Sequence, residues 1–571
     1  AVTGRAATTG AVDTPVADAR PAARVLAPAV WTGAALLPLA FLGVFFLWPA
    51  ATLIGRGFVV DGHATLDGLR EVLGSPRTWR IARTTLELAI LGTLASVILG
   101  IPGAYVLYRC RFPGRSALRA LVTVPFVLPT VVVGVAFVAL LGPRGPLGFL
   151  GLSESLPAIV LALVFFNYAV VVRTVGGLWA RLDPRATQAA RALGASPWRA
   201  FRTVTLPALL PAIASAAALV FLFCASAFGI VMVMGGVRYS TIETEIWYQT
   251  TQLLDLQAAA ALSVAQLVIV TLSLLATSWT QNRQERALRL QGEGTSGQPW
   301  RLHTDWAPTL VTALTLGGIL ALPIGTLVVR SVRSEGGWTL THYRALGTTV
   351  GRALPVPVWV AIRNSLVVAL QATAIALVLG VLVALVVSRR PRTPAGRRGL
   401  RLLDAVFMLP LGISAVTVGF GFLITLNRPP LDLRSSMILV PIAQAVVALP
   451  LVVRSLIPVL RAIDPRQREV AATLGASPWR VLATVDGPFL LRGVGLAAGF
   501  AMATSLGEFG ATSFLSRMDR PTLPVVIFRL IGRPGEANFG AALAASVVLA
   551  ALTAIVMLLA ERIRPPGAGQ L

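Results

Sequence analysis

The sequence predicts an all-α, polytopic membrane protein whose twelve transmembrane helices form two homologous six-helix halves. Three observations carry that expectation. The chain of 571 residues is 56% hydrophobic and only 13% charged, with a mean hydropathy of +0.77, too apolar for a water-soluble chain of this size. Apolar runs near the ~20 residues a helix needs to cross a bilayer recur along its whole length. A loop is also written twice at a fixed offset of 281 positions: Asp183 falls on Asp464, Gly194 on Gly475, Trp198 on Trp479 and Pro207 on Pro488.

Residues 1–26 are polar and rich in Ala, Thr and Pro, and read as a disordered cytoplasmic tail with no cleaved signal. The first half, 27–279, holds spans beginning near Ala27, Thr84, Leu121, Pro157, Leu209 and Ala258. Residues 280–306 are polar, with Gly292, Gly294, Ser296 and Gly297 at the centre, which predicts a flexible cytoplasmic linker. The second half, 307–560, repeats the pattern from Ala307, Ser365, Leu403, Met437, Phe489 and Phe539, and 561–571 is a second cytoplasmic tail. Six spans return each copy to the same orientation, so duplication with parallel topology is the economical account.

The formal charge is +25, and all 49 basic residues are Arg. They are dealt out between apolar stretches rather than gathered on a soluble face, which argues for a lipid setting and against nucleic acid as a partner. One alternating set of connections, including both tails and both repeated loops, carries 28 of these Arg against 18 in the other set. The positive-inside rule therefore places both termini and both loops in the cytoplasm. Cys110 and Cys224 lie in different segments without metal-ligand spacing, and His63, His303 and His342 are scattered. Neither a nucleophile–base pair nor a phosphate-cradling Gly-rich motif is present, so the sequence offers no catalytic residues, no metal site and no cofactor of its own.

Each repeated loop (181–207 and 462–488) reads as helix, sharp turn, short helix. Asp183-Pro184 and Asp464-Pro465 are helix starts, because the carboxylate accepts exposed N–H groups and Pro suits the first helical position. Gly194 and Gly475 suit the left-handed residue that ends the helix, and Ser196-Pro197 and Ser477-Pro478 begin the next one. Ala195, Trp198 and Arg199 recur as Ala476, Trp479 and Arg480. An aromatic anchor beside a charge is a common composition for a surface that a partner grips.

This loop resembles the E-A-A-x-x-x-G loop of permease subunits in binding-protein-dependent ABC importers. Glu469-Val470-Ala471-Ala472 through Gly475 fits it closely, while Gln188-Ala189-Ala190 through Gly194 carries the amide in place of the acid. The resemblance implies a type I ABC importer permease fold and two copies of a cytoplasmic ATPase that bind ATP and Mg and dock on the loops. It also implies an extracytoplasmic solute-binding protein and a place in the bacterial inner membrane. It extends over nearly the whole chain, including Arg83-Thr84-Thr85-Leu86 and Arg363-Asn364-Ser365-Leu366 ahead of the second span of each half.

Two fused permeases in one chain are most similar to the thiamine and ferric-iron branch. The strings from Thr241 to Ile246 and from Ser505 to Gly510 are similar to thiamine permeases, and others are shared with sulfate and molybdate permeases. Thiamine is the cargo this implies, with ferric iron, a polyamine or an oxyanion as alternatives.

For the pathway, Glu508 is an acid at bilayer depth, where ionised side chains turn toward a bundle interior or a wet cavity, and it reads either as a substrate or gate contact or as a structural partner of a nearby Ser or Arg. Its counterpart is Ala227. Phe509 beside it and the equivalent Phe228 are gate candidates, as are Pro129 and Pro410, expected to kink the third span of each half. Asn167, Gln266, Gln371 and Gln444 are expected to bond between helices, with pore lining as the alternative. Two readings of other classes compete with this one. An ion-coupled secondary transporter also fits twelve spans in two halves, but few intramembrane carboxylates are present to carry a coupling ion. A membrane scaffold would show no substrate-stimulated ATP hydrolysis.

Overall fold

The computed structural model describes residues 33–562, apart from 61–62, 65–66, 237, 291–296, 335, 350–353, 389–393, 430 and 434–435. The tail 1–26, the start of the first span near Ala27, most of the tail 561–571 and the linker centre therefore lie outside the described residues.

Besides a short connecting helix in each half (Asp67–Gly74 and Thr341–Ala345), the halves lay out the same ten helices. In the first these are α1 (Gly33–Phe58), α2 (Pro76–Arg109), α3 (Arg115–Val127), α4 (Thr130–Leu141), α5 (Leu156–Trp179), α6 (Pro184–Ala192), α7 (Pro197–Ala225), α8 (Gly229–Met234), α9 (Ile242–Tyr248) and α10 (Leu256–Leu290). The second repeats them as α11 (His303–Ser331), α12 (Val358–Val387), α13 (Pro394–Met408), α14 (Ala415–Thr425), α15 (Leu439–Arg461), α16 (Pro465–Thr473), α17 (Trp479–Gly507), α18 (Thr512–Leu515), α19 (Leu523–Ile531) and α20 (Glu536–Arg562).

Ten of the described helices are long and apolar enough to cross a membrane, and α3 with α4 makes an eleventh span bent by 102°. The twelfth expected span, near Leu403, is not one helix. Its place is taken by α13, a 3-10 turn at Leu409–Gly412 and the short apolar α14. Pro129 and Pro410 stand at these two breaks, where a ring without an N–H donor interrupts helical hydrogen bonding.

The two bends differ in length. α4 begins at Thr130 and α14 at Ala415, four residues later than the offset of 281 would place it. The residue preceding each helix is consequently Pro129 in one half and Ser414 in the other.

The halves are not separate packing units, because they exchange their first helices. Leu42 and Phe46 of α1 are buried in the core of the second half, with Phe422, Ile442 and Val446. Leu316 and Leu320 of α11 are buried in the first-half core with Leu163 and Tyr168. The exchange is fastened alike on both sides. Arg330 at the end of α11 donates from Nη1 to Ala139 O at 2.7 Å, and Arg56 of α1 donates from Nη2 to Ile424 O at 3.5 Å. Both acceptors lie in the last turn of α4 or α14, where helix carbonyls lack intrahelical donors and a cation opposes the dipole. A third core, shared by the halves, joins Val131, Phe228 and Ile246 to Val416, Phe509 and Leu523.

The linker differs from expectation. α10 runs through Gln281 to Leu290, since this stretch holds no Gly or Pro and is rich in good helix formers. Beyond the undescribed residues, Gln298–Pro299 pairs in parallel with Cys110–Arg111, so its far end is tied to the first half.

Candidate functional site

The repeated loops fold as their residues dictate. The Asp183 carboxylate accepts the Arg185 N–H at 2.9 Å and Asp464 accepts the Arg466 N–H at 3.0 Å. α6 and α16 then end identically. Gly194 (φ +87°) donates to Arg191 O and Ala195 to Ala190 O, and Gly475 (φ +80°) donates to Ala472 O and Ala476 to Ala471 O. This is the Schellman arrangement, in which a left-handed residue lets two successive N–H groups satisfy the last carbonyls. Ser196 and Ser477 cap the following turn by accepting the N–H of Arg199 and Arg480.

The result is a blunt protrusion in each half with its large side chains outward. Leu193 is 89% exposed and Leu474 82%, Trp198 69% and Trp479 64%. Gln188, Ala189, Glu469 and Val470 are exposed as well. In the first half an aromatic ladder backs the tryptophan: Trp198 stacks on Phe201, which stacks on Trp179. The second half has Leu482 and Leu460 at the positions of Phe201 and Trp179, so its tryptophan lacks that ladder.

Each protrusion is tied to the span that follows it. In the second half Arg468 of α16 donates from Nε to Asp486 at 2.7 Å, with Asp486 almost wholly buried. The equivalent residues of the first half, Thr187 and Thr205, meet through their hydroxyls at 3.3 Å. Both contacts land on a π-helical turn, Phe201–Thr205 and Leu482–Asp486, an irregularity often found at functional sites. The same link between protrusion and span is thus an ion pair in one half and a hydroxyl pair in the other.

At the centre of the molecule, residues related by the repeat meet each other. Phe228 and Phe509 stack with ring centroids 5.2 Å apart and 22° between planes, and both are buried. Trp247 and its equivalent Phe528 make an edge contact at 5.8 Å, and Phe528 also packs on Phe509 at 5.3 Å. Self-contact of equivalent residues places this aromatic cluster on the pseudo-two-fold axis. Pro129 borders it, with its ring against Gly507 of the other half. Pro410 is buried in its 3-10 turn.

Glu508 is 6% exposed and turned toward its own chain. Its carboxylate accepts the N–H of Ala511 at 2.7 Å and of Thr512 at 3.0 Å, and the Thr512 hydroxyl donates to it too. Gln444 in turn donates to that hydroxyl at 3.3 Å. The acid therefore caps the start of α18.

Another buried acid is not legible in the sequence. Glu243 of α9 is fully buried and accepts Gln266 Nε2 at 2.8 Å and Ser414 Oγ at 2.6 Å. The Ser414 bond crosses from one half to the other. Gln266 also donates to Ala225 O at 3.1 Å, fastening Glu243 to the end of α7. The available signal was asymmetry, since Pro524 stands at the equivalent position. Of the other polar residues, Asn167 donates to Leu163 O and Cys224 Sγ, and Gln371 is exposed.

Thr85 and Ser365, inside the second span of each half, do matching work. Thr85 Oγ accepts the N–H of Ile242 at 3.0 Å, and Ser365 Oγ that of Leu523 at 2.7 Å. Each anchors the first residue of α9 or α19 beside the aromatic cluster. Cys110 is a buried free thiol that burial, with the Asp305 charge adding, pushes up to about 12.

Two exposed, duplicated protrusions, each tied to the span that follows it, thus stand on a multi-pass helical protein whose halves meet at an axial aromatic cluster. Residues 92–290 match the family described as binding-protein-dependent transport system inner membrane component. The thiamine transport system permease protein ThiP of Escherichia coli (strain K12) is 30% identical over 466 residues, covering 80% of this chain and 84% of that one. ThiP of Brucella suis biovar 1 (strain 1330) is 28% identical over 500 residues, 85% and 87% of the two chains. The sulfate transport system permease protein CysT of Escherichia coli (strain K12) is 31% identical over 221 residues, 37% of this chain and 80% of that one. The chain belongs to the family of binding-protein-dependent transport system inner membrane components, and is a multi-pass inner-membrane permease of an ABC importer.

Proposed function

We propose that this permease forms the translocation pathway for thiamine, driven by two copies of a cytoplasmic ATPase that grip the loops around Gly194 and Gly475. The cargo rests on likeness to thiamine permeases over four-fifths of the chain. The mode of driving rests on one observation, the identical exposed helix–turn–helix in both halves. Both termini and both loops face the cytoplasm, and a solute-binding protein delivers cargo to the opposite face. ATP and Mg are held by the partner subunit, and this chain supplies no catalytic group. Its own residues transmit force: the Ser-capped turn passes a pull to α7 or α17 through the Thr187–Thr205 or Arg468–Asp486 contact.

The pathway in this reading runs along the pseudo-two-fold axis and is shut by Phe228 and Phe509. Parting the halves separates these rings and breaks the Glu243–Ser414 bond. Glu508 acts by holding the start of α18, which positions Phe509.

The test is uptake by vesicles that contain the chain, its ATPase and its binding protein. Labelled thiamine is expected to accumulate with ATP and not with a proton or sodium gradient alone. Accumulation of ferric ion, a polyamine or an oxyanion in its place would reassign the cargo, and gradient-driven uptake without the ATPase would overturn the importer reading.

A further inference from the structure

The stretch that joins the halves ends in a buried acid that reaches back into the first half. Asp305, in the first turn of α11, is 5% exposed. Its carboxylate accepts the Tyr105 hydroxyl at 2.7 Å on one oxygen and the Arg301 N–H at 3.0 Å on the other. Tyr105 opens the π-helical turn Tyr105–Arg109 at the end of α2, and its oxygen accepts Gln298 Nε2 at 2.5 Å. The backbone runs alongside: Gln298–Pro299 pairs with Cys110–Arg111, the Trp300 N–H donates to Arg111 O at 3.2 Å, and the Trp300 ring lies 6.4 Å from that of Phe112. Residues 298–305 thus form a strap from the first helix of the second half onto the end of α2.

From Tyr105 a row of rings leads to the first protrusion. Tyr105 meets Trp179, the last residue of α5, with centroids 5.4 Å apart, Trp179 stacks on Phe201 at 6.0 Å, and Phe201 stacks on the exposed Trp198 at 5.6 Å. Arg109, at the far end of the same π-helical turn, donates to Leu182 O at 3.3 Å, where the protrusion leaves the span. The second half carries Leu385, Leu460 and Leu482 in the places of Tyr105, Trp179 and Phe201, yet keeps the tryptophan itself as Trp479. The half that receives the strap is the half with rings to carry its order outward.

A side chain already held in its bound orientation gives up less freedom on docking, so ordering it beforehand tightens the complex. We propose that the strap positions Trp198: Asp305 fixes the Tyr105 ring, and Trp179 and Phe201 pass that order to the docking tryptophan, which makes the first loop a preset anchor and the second an adaptable one. Tyr105 and Asp305 are positioning residues in this scheme, acting through the rings and not on the ATPase itself. The acid belongs to the first helix of the second half, so both halves contribute to the grip of the first loop. This inference rests on the importer reading above, in which an ATPase copy grips each loop.

The experiment titrates the purified ATPase against the full-length permease in detergent and reads the concentration that half-saturates binding. Trp179→Leu with Phe201→Leu, which gives the first half the residues of the second, is expected to raise that concentration about fivefold. Tyr105→Phe and Asp305→Ala are each expected to raise it in the same direction with the ladder left in place. Adding Tyr105→Phe to Trp198→Ala, where the second loop still holds the ATPase, is expected to add nothing, because the tryptophan that Tyr105 positions is gone. A general loss of stability would add to either background. Size-exclusion elution of each variant checks folding, and Tyr105→Phe, which deletes a single hydroxyl, serves if the leucine pair does not fold. An unchanged half-saturating concentration with Tyr105→Phe and Asp305→Ala would overturn the inference, as would an equal rise in the Trp198→Ala background. If the wild type binds no ATPase, the importer reading falls; if wild type and variants bind it alike, only the strap inference falls.

Discussion

Phe228 and Phe509 occupy equivalent positions in two halves of one chain, yet they touch each other, stacked at 5.2 Å. Such contact requires both residues to lie at the pseudo-two-fold axis, and it joins two rings contributed equally by the halves, which the proposed reading makes the gate. Aromatic pairs of this kind contribute about 0.5–1.5 kcal/mol beyond the area they bury.

Phe228→Ala with Phe509→Ala is therefore expected to leak. Labelled thiamine should enter vesicles containing the complex without ATP, and ATP hydrolysis should lose its dependence on the binding protein. Flux across these vesicles in the absence of nucleotide is the measurement; an ion-tight, cargo-tight variant would remove the two rings from the gate.

Ser414→Ala deletes one of the two side-chain donors to buried Glu243. A buried acceptor left short of a partner costs about 1–3 kcal/mol, and here the loss falls on a bond between halves. Thermal unfolding of the detergent-purified protein should shift downward. Replacing both groups by Ser414→Ala with Glu243→Gln should recover part of the loss, because the amide tolerates burial better than an acid short of a donor.

The ties between loop and span predict unequal halves. Arg468→Ala removes a charged partner from Asp486, which is 2% exposed in its side chain, whereas Thr187→Val removes one hydroxyl contact of 3.3 Å. Hydrogen bonds to charged groups contribute about 1.5–3 kcal/mol and neutral ones about 1 kcal/mol. The Arg468 variant should hydrolyse ATP with markedly less uptake per ATP consumed, and the Thr187 variant should stay close to wild type. Uptake and hydrolysis measured in one vesicle preparation give the ratio directly.

Local chemistry made much of this architecture legible. Asp–Pro starts, glycine stops and Ser–Pro restarts act within a few residues, so the folded loops match their reading. Span length is likewise a property of composition. The exchange of α1 and α11 is different, since Leu42 and Phe46 are apolar whichever core receives them and only tertiary packing decides. The longer break at Leu409–Gly412 leaves no trace in the register, because Leu128-Pro129 and Leu409-Pro410 keep the offset of 281 and Arg173 and Arg454 keep it again further on. What differs is where the helix resumes, directly after Pro129 in the first half but only after Ser414 in the second. Glu243 lies in a polar string, and its role depends on Ser414, which only that delay brings to the start of α14.

An ATPase that grips both loops must lose its hold when their turns are distorted. The most direct measurement is recovery of the ATPase with affinity-tagged permease carrying Gly194→Ala, Trp198→Ala, Gly475→Ala and Trp479→Ala, since positive φ at the two glycines strains any side chain placed there. The ATPase is expected to be lost from the complex while the permease remains folded and in the membrane. Recovery of the ATPase at the wild-type level would contradict it.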